Sequence, residues 1–168
     1  MQIECAWCKR KIEGTKEHPV SGVDISHGIC KDCMQAFAGR EGVKLETFIE
    51  NLPVPVLLLN GRAVVVQANS RARAMLGKAA EQIAGFRGGE VFECAYAALP
   101  GGCGETVHCS GCAIRRSVID TFASGVPLHR VPAVLSRKTR GGKVRADLLI
   151  STGKMGGIVL LKIDKAVE

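Results

Sequence analysis

NLPVPVLLLNGRAVVVQANSRARAMLG, from Asn51 to Gly77, is the stretch of sequence that decides the fold. It holds two apolar runs, Val56–Leu59 and Ala63–Val66, on either side of Asn60-Gly61-Arg62. Because Asn-Gly favours the positive φ angles of tight turns, the two runs are predicted to pair as a β-hairpin. Asn69 then serves as a helix N-cap, and the helix that follows is predicted to end at Gly77.

The elements on both sides of this hairpin follow from hydrophobic periodicity and from turn residues. Before it, residues 43–52 show a helical pattern that Pro53 ends. After it, a short helix over Ala79–Ala84 and a longer one over Ser110–Ala123 are predicted. The last part of the chain is predicted to form three strands, Leu128–Lys138, Lys143–Thr152 and Gly156–Asp164. Two strands, a helical crossover and three further strands predict an α+β fold with one five-stranded antiparallel sheet and helices on one face.

This order resembles the PAS domains of bacterial signal transduction over about residues 45–165. Three motifs carry the resemblance: the proline-interrupted strand of Asn51–Leu59, the Asn69 that opens the next helix, and the Leu76-Gly77 that ends it. The resemblance implies a sensory domain. PAS domains commonly dimerise through their sheet and N-terminal helix, so it also makes residues 43–52 a candidate dimer interface.

The cysteines divide the chain further. The sequence has 168 residues and 8 cysteines, which fall into two groups of four. Clustered cysteines in a reducing compartment indicate metal or redox chemistry more than structural disulfides. We therefore expect a small zinc-finger domain over residues 1–38, a linker over residues 39–44, and a PAS-like domain over residues 45–165 that carries a cysteine-rich insertion at residues 94–112.

The first group is two C-x2-C pairs, formed by Cys5, Cys8, Cys30 and Cys33. Each pair presents two sulfurs on one side of a tight turn, and two such turns complete a tetrahedral zinc site. The pattern resembles treble-clef and zinc-ribbon fingers. A segment this short has too little core to fold alone, so bound zinc is expected to supply much of its stability. Free redox pairs and disulfides are the alternatives, but a thioredoxin-like motif needs a βαβ context that is absent here.

The second group, Cys94, Cys103, Cys109 and Cys112, lies in a glycine-rich segment just before the long helix. A zinc ion or an iron–sulfur cluster held by four thiolates is the leading interpretation, and the spacing does not choose between the two. The segment resembles a cysteine-rich insertion of bacterial PAS sensors, some of which hold a labile iron–sulfur cluster. A thiol–disulfide switch, for instance between Cys109 and Cys112, and four inert buried cysteines remain alternatives.

Haem is a further alternative for the PAS-like domain. Covalent attachment needs a histidine after the second cysteine of a C-x2-C pair, and Ala113 follows Cys112. Non-covalent haem bound by a histidine stays open, with His108 and His129 as the candidates in this part of the chain.

The rest of the sequence mainly argues against particular functions. It holds no phosphate-binding loop, dinucleotide fingerprint or nucleophile elbow, so no enzyme activity is expected. Two zinc-tetrathiolate sites would reduce the formal charge from +7 to about +3, which argues against nucleic acid as a partner. The most apolar stretch, Val54–Val66, is interrupted by polar residues, so no membrane insertion is expected.

These observations predict a cytoplasmic signal-sensing or adaptor module. Its second cysteine group would respond to redox state, oxygen or metal, and it would act through a partner. The partner would be a second copy of the chain or a separate signalling protein, such as a histidine kinase or a regulator. The alternative is a passive protein-interaction module with two structural zinc sites.

Overall fold

A computed structural model describes residues 2–5, 9–12, 25–28, 30, 32–33 and 45–167. Near the N-terminus, strands β1 (Gln2–Cys5) and β2 (Ile25–Gly28) pair in parallel, with Cys5 opposite Gly28. The proposed linker, residues 39–44, lies outside the described residues.

The remaining chain forms one five-stranded antiparallel sheet with helices, as predicted. The elements are α1 (Leu45–Glu50), β3 (Val56–Leu59), β4 (Val65–Ala68), α2 (Ser70–Leu76), α3 (Gly88–Val91), α4 (Ala113–Ser124), β5 (Leu128–Thr139), β6 (Gly142–Met155) and β7 (Ile158–Val167). The strand order is β4-β3-β7-β6-β5. Short 3-10 turns at Ala80–Gln82, Ala95–Ala98 and Cys109–Gly111 complete the path.

The boundaries differ from the sequence prediction at a few places. The helix predicted over Ala79–Ala84 is a 3-10 turn, and the long helix begins at Ala113 rather than Ser110. The segment that leads into the second cysteine group also contains α3, which the glycine-rich sequence did not indicate. All three predicted C-terminal strands are present, and the last extends to Val167.

The predicted hairpin is present, but its turn uses glycine differently from the prediction. The positive φ angle falls on Ala63, at 58°, and Gly61 is not among the glycines with positive φ. Gly61 instead lies under the ring of Phe122 of α4, where an added Cβ would be 2.5 Å from a ring carbon. The glycine is needed for packing rather than for its backbone angle.

Each face of the sheet buries its own apolar cluster, because alternate residues of β3 point to opposite faces. Leu57 and Leu59 belong to the larger cluster, which includes Val118 of α4. Val56 and Leu58 belong to a smaller cluster with Phe48 and other residues of the α1 segment. The long helix therefore covers one face, and α1 covers part of the other.

Asn69 is the N-cap of α2, as predicted, and it is completely buried. Its side-chain oxygen accepts hydrogen bonds from the N–H groups of Ala72 and Val56 at 2.9 and 3.0 Å. Its amide nitrogen donates to the carbonyl oxygens of Ile49 and Val54 at 3.0 and 2.9 Å. One side chain thus joins α1, β3 and α2.

Within the described residues, none of the helices combines the length and apolar character that a bilayer-spanning helix requires.

Candidate functional site: two groups of cysteines

The first group brings three of its four cysteines together. The sulfurs of Cys5, Cys30 and Cys33 all lie within 4.8 Å of one another, which is close enough to share a metal ion. The backbone N–H of Cys30 donates to the sulfur of Cys5, and that of Cys33 donates to the sulfur of Cys30, both at 3.4 Å. Cys8, the fourth predicted ligand, lies outside the described residues.

Two backbone hydrogen bonds join Cys5 to Lys9 and Arg10. The Cys5 N–H donates to the carbonyl of Arg10 at 2.8 Å, and the Lys9 N–H donates to the carbonyl of Cys5 at 2.9 Å. Lys9 adopts a left-handed φ of 59°. Residues 6–8, which would form the turn of this C-x2-C pair, lie outside the described residues, so the paired presentation of the two sulfurs stays a prediction.

The second group lies around one cavity of about 130 Å³ in the PAS-like part of the chain. The four cysteines, Cys94, Cys103, Cys109 and Cys112, all line it. The other walls come from β3, α3, α4 and β5, and they include Leu59, Phe92, Val118 and Leu135. The cavity is thus apolar on the side of the sheet and lined by thiols on the side of the insertion.

Cys103 lies against the start of α3. The Gly89 N–H donates to its sulfur at 3.2 Å, and a Cβ on residue 89 would be 2.8 Å from that sulfur. Only glycine allows so close an approach. Burial raises the pKa of the Cys103 thiol, and it outweighs the opposing effect of the Gly89 N–H.

Cys109 has the opposite electrostatic environment. Burial alone would raise the pKa of its thiol, but hydrogen bonds and a nearby guanidinium lower it. The Thr106 hydroxyl lies 3.2 Å from its sulfur, the Gly104 N–H donates to it at 3.1 Å, and Arg115 contributes positive charge. Cys109 is therefore the thiol of this pair that ionises more readily.

Cys94 is held against the edge strand β5 by the residue before it. Glu93 adopts a left-handed φ of 58°, which is unusual for a residue with a side chain. Its carbonyl accepts the Lys138 N–H at 2.8 Å, and its carboxylate pairs with Arg137 at 3.2 Å and with Lys78 at 3.6 Å. These contacts fix where the chain enters the insertion.

The second group is not gathered as closely as the first. In the described part of the chain, Cys5, Cys30 and Cys33 are the one set of three or more potential ligands whose atoms all lie within 4.8 Å of each other. The four cysteines of the second group share a cavity but not that proximity. Their role as ligands of a zinc ion or a cluster stays a prediction.

Sequence reasoning missed several residues in and next to this cavity. Tyr96 lines the cavity and stacks on His108, the haem candidate, with ring centroids 3.8 Å apart. Thr106 and Arg115 act on Cys109 across a loop that has no regular periodicity, so the sequence carried no signal for them. The two histidines named as candidate haem ligands lie in different places, because His108 lines the cavity and His129 does not.

Comparison with known families agrees with the architecture. The five-stranded antiparallel sheet with its helices is a PAS-like α+β fold, as the sequence predicted. Residues 43–108 match the family model described as a PAS domain. This match includes Cys94, Cys103 and His108 and ends just before Cys109. No curated protein matches the sequence.

Solved structures with a similar outline come from several bacteria. The photoactive yellow protein domain of the sensor histidine kinase Ppr from Rhodospirillum centenum is 16% identical, covers 79% of this chain and 99% of its own, and has a TM-score of 0.45. The PAS domain of nitrogen regulation protein NR(II) from Vibrio parahaemolyticus is 12% identical, with 73% and 99% covered and a TM-score of 0.45. The Cronobacter turicensis RpfR quorum-sensing receptor PAS domain, in complex with BDSF, is 14% identical, with 74% and 98% covered and a TM-score of 0.45.

Proposed function

We propose that this chain is a cytoplasmic signal-sensing module of bacterial signal transduction, and that Cys94, Cys103, Cys109 and Cys112 form its sensing centre. One observation carries the proposal: all four thiols line a single cavity in the PAS-like domain. The thiols differ in character, because the pKa of Cys109 is lowered and that of Cys103 is raised. A group of thiols with such different proton affinities is suited to metal, oxygen or redox chemistry.

The first group fits a structural zinc site. A tetrahedral zinc ion with Zn–S bonds of about 2.3 Å places its sulfurs about 3.8 Å apart. Three sulfurs within 4.8 Å of one another need little adjustment to reach that geometry. Cys5, Cys30 and Cys33, with Cys8 as the fourth ligand, would hold this ion, and the ion would supply folding stability to the finger.

The second group fits a single zinc ion less well. Its sulfurs share a cavity without the mutual proximity of the first group. A four-iron cluster binds each thiolate at a different iron, and it therefore holds the sulfurs further apart than one ion does. An iron–sulfur cluster is consequently the occupant we favour, and it would supply sensitivity to oxygen or redox state when bound. A thiol–disulfide switch is the form of sensing that needs no bound group.

The long helix offers the path from this centre to the rest of the domain. Cys112 is the N-cap residue of α4, and its carbonyl accepts the Arg116 N–H at 3.0 Å. Six residues after Cys112, Val118 of α4 is completely buried against the sheet. A change in the bonding of Cys112 therefore acts directly on the start of a helix whose inner face is fixed in the core.

The proposed output is a protein partner rather than a reaction. The partner is a second copy of the chain or a separate signalling protein, such as a histidine kinase or a regulator, and the chain itself is not expected to be an enzyme. In α1, Phe48 and Ile49 are already buried on the sheet, so a dimer interface at residues 43–52 would have to use the exposed side, with Glu46 and Glu50.

Metal analysis tests the proposal most directly. The full chain would be purified without oxygen and assayed for iron, acid-labile sulfide and zinc, with absorption spectra before and after air exposure. We expect Cys109→Ser to abolish iron and sulfide but keep zinc, and Cys5→Ser, the matched control in the finger, to lose zinc only. A colourless protein with two zinc ions, unchanged by air and peroxide, would instead identify the passive interaction module.

A further inference from the structure

A cluster of charged side chains lies buried on the face of the sheet opposite α4. Lys162 and Asp164 project from β7, and Lys162 is paired across the strands with Val56, which belongs to the apolar cluster under α1. Ser151 of β6 lies on the other side of Lys162. Arg130 of β5 completes the cluster. Arg130 is 2% exposed and Lys162 5% exposed, although isolated charges are rarely buried to this degree.

An irregularity in β5 brings Arg130 to this position. Leu128 is paired with Thr152 and Val131 with Ile150, so His129 and Arg130 together stand opposite the single residue between those partners, Ser151. Arg130 adopts a left-handed φ of 49°, and its N–H donates to the Ser151 hydroxyl at 2.9 Å instead of to a backbone carbonyl. Bulges of this kind redirect a side chain, and strained backbone of this kind concentrates at functional sites.

The charges in the cluster do not balance. The Ser151 hydroxyl donates to one oxygen of Asp164 at 2.5 Å, and the Lys162 ammonium lies 2.7 Å from the other. Arg130 adds a second positive charge. Its Nε and Nη2 atoms are buried and have no hydrogen-bond partner among the described residues, and the same is true of His129 Nδ1. Burial lowers the pKa of Lys162, and the adjacent Asp164 carboxylate opposes that effect. With Lys162 and Asp164 both charged, Arg130 leaves one positive charge in excess among these residues.

The unpartnered nitrogen atoms of Arg130 indicate which chemical group would bind here. Nε and Nη2 form one edge of the guanidinium, and this edge pairs with two oxygens of a carboxylate at once. A carboxylate carries a single negative charge and so neutralises the cluster, whereas a phosphate dianion would give the cluster a net negative charge. Burial and the nearby Lys162 lower the pKa of His129, so the neutral imidazole adds no charge of its own.

We propose that Arg130 and Lys162 form a binding site for the carboxylate of a small organic acid, reached from the outer edge of β5. In the described residues β5 is the last strand of its sheet, so no strand covers its far side along Leu128–Val131. His129, which directly precedes Arg130 on this strand, is partly exposed. This site is on the opposite face from the thiol-lined cavity, and its existence does not depend on what that cavity binds.

Acetate is the probe. The thermal unfolding midpoint of the full chain would be measured with increasing sodium acetate, sodium phosphate or sodium chloride at constant ionic strength. We expect a saturable increase with acetate that exceeds the effects of chloride and phosphate. Arg130→Met should abolish this increase, and Arg145→Met, which removes an exposed arginine of β6 paired with Asp147, should retain it.

A second measurement covers the case in which Arg130→Met does not fold. In the wild-type protein, the Arg130 Nε–H resonance should shift on titration with acetate and reach a plateau, while the Arg145 Nε–H resonance should not shift. An unshifted Arg130 resonance, an acetate effect equal to that of chloride, or a stronger effect of phosphate would overturn the proposal. Equal stabilisation of folded Arg130→Met and wild type would overturn it as well.

Discussion

The hydroxyl oxygens of Thr121 in α4 and Thr152 in β6 lie 2.6 Å apart inside the core. Thr121 is completely buried and Thr152 is 4% exposed, so neither hydroxyl has water as a substitute partner. This hydrogen bond fastens the long helix to the sheet nine residues after Cys112. Lys154 of β6 adds a second polar contact by donating to the Phe122 carbonyl of α4 at 2.6 Å. Any movement of α4 relative to the sheet would have to break both contacts.

Removing both of these hydroxyls should cost less than the sum of the costs of removing each one. Thr121→Val and Thr152→Val each leave the other hydroxyl buried without a partner, which costs about 1–3 kcal/mol of the free energy of unfolding. The double variant replaces both polar groups with apolar ones of similar shape and should lose less than the sum. Urea denaturation of the four proteins measures this coupling. Strictly additive losses would contradict it, and Thr47→Val, at an exposed position of α1, should change little.

Asn69 should be among the residues most sensitive to substitution. Asn69→Ala removes four hydrogen bonds, two of them to the N–H groups of Val56 and Ala72. The Ile49 carbonyl keeps the Leu52 N–H as a donor at 3.2 Å. The expected loss is about 3 kcal/mol or more in the free energy of unfolding. Asn69→Asp keeps the two acceptor roles but points a buried carboxylate at the carbonyls of Ile49 and Val54, so it should also destabilise strongly.

The matched control for this position is Asn51→Ala. The Asn51 amide donates to the Thr47 carbonyl at 2.7 Å, but in an exposed setting where water can replace it. Its loss should stay within about 0.5 kcal/mol. Urea denaturation midpoints compare the variants, and similar losses at both asparagines would contradict the role given to Asn69.

Gly61 should not tolerate even a methyl group. In Gly61→Ala the new Cβ would be 2.5 and 2.7 Å from two ring carbons of Phe122, so the ring or the hairpin has to move. Overpacking of this kind costs about 1–3 kcal/mol. Gly141→Ala has nothing within 4 Å of the added Cβ and should be nearly neutral. Thermal unfolding of both variants tests this, and combining Gly61→Ala with Phe122→Leu should recover part of the loss.

The hairpin and Asn69 illustrate what the sequence could predict. Turn residues, caps and periodicity act locally, so they located the strands and the opening of α2 without knowledge of the tertiary structure. They also suggested the correct role for Asn69 but not its bonds to α1 and β3, which depend on segments that meet only after folding.

Features that depend on tertiary contacts were not predictable in this way. Lys162 and Asp164 alternate with apolar residues along β7, which is the pattern of a strand with one solvent-facing side, but both side chains are buried. The left-handed φ angles of Glu93 and Arg130 arise from irregular pairing at β5, and neither residue type signals such an angle. Cysteine spacing suggested two groups of four, but it could not show that one group is tightly gathered and the other lines a cavity.

Cys109 should react more readily than Cys103 in metal-free protein. The thiolate is the form that is alkylated, so the lowered pKa of Cys109 moves its pH–rate midpoint below that of an ordinary thiol, and the raised pKa of Cys103 moves its midpoint above. Thr106→Val removes the side-chain hydrogen bond that favours the thiolate and should shift the Cys109 midpoint upward. The protein would be treated with a chelator, and its circular dichroism spectrum would show that it stays folded. Iodoacetamide labelling at a series of pH values, quantified by mass spectrometry, then measures both midpoints. Ser110→Ala, whose hydroxyl donates to the Val107 carbonyl and not to sulfur, should leave them unchanged, and a Cys109 midpoint equal to that of Cys103 would contradict the assignment.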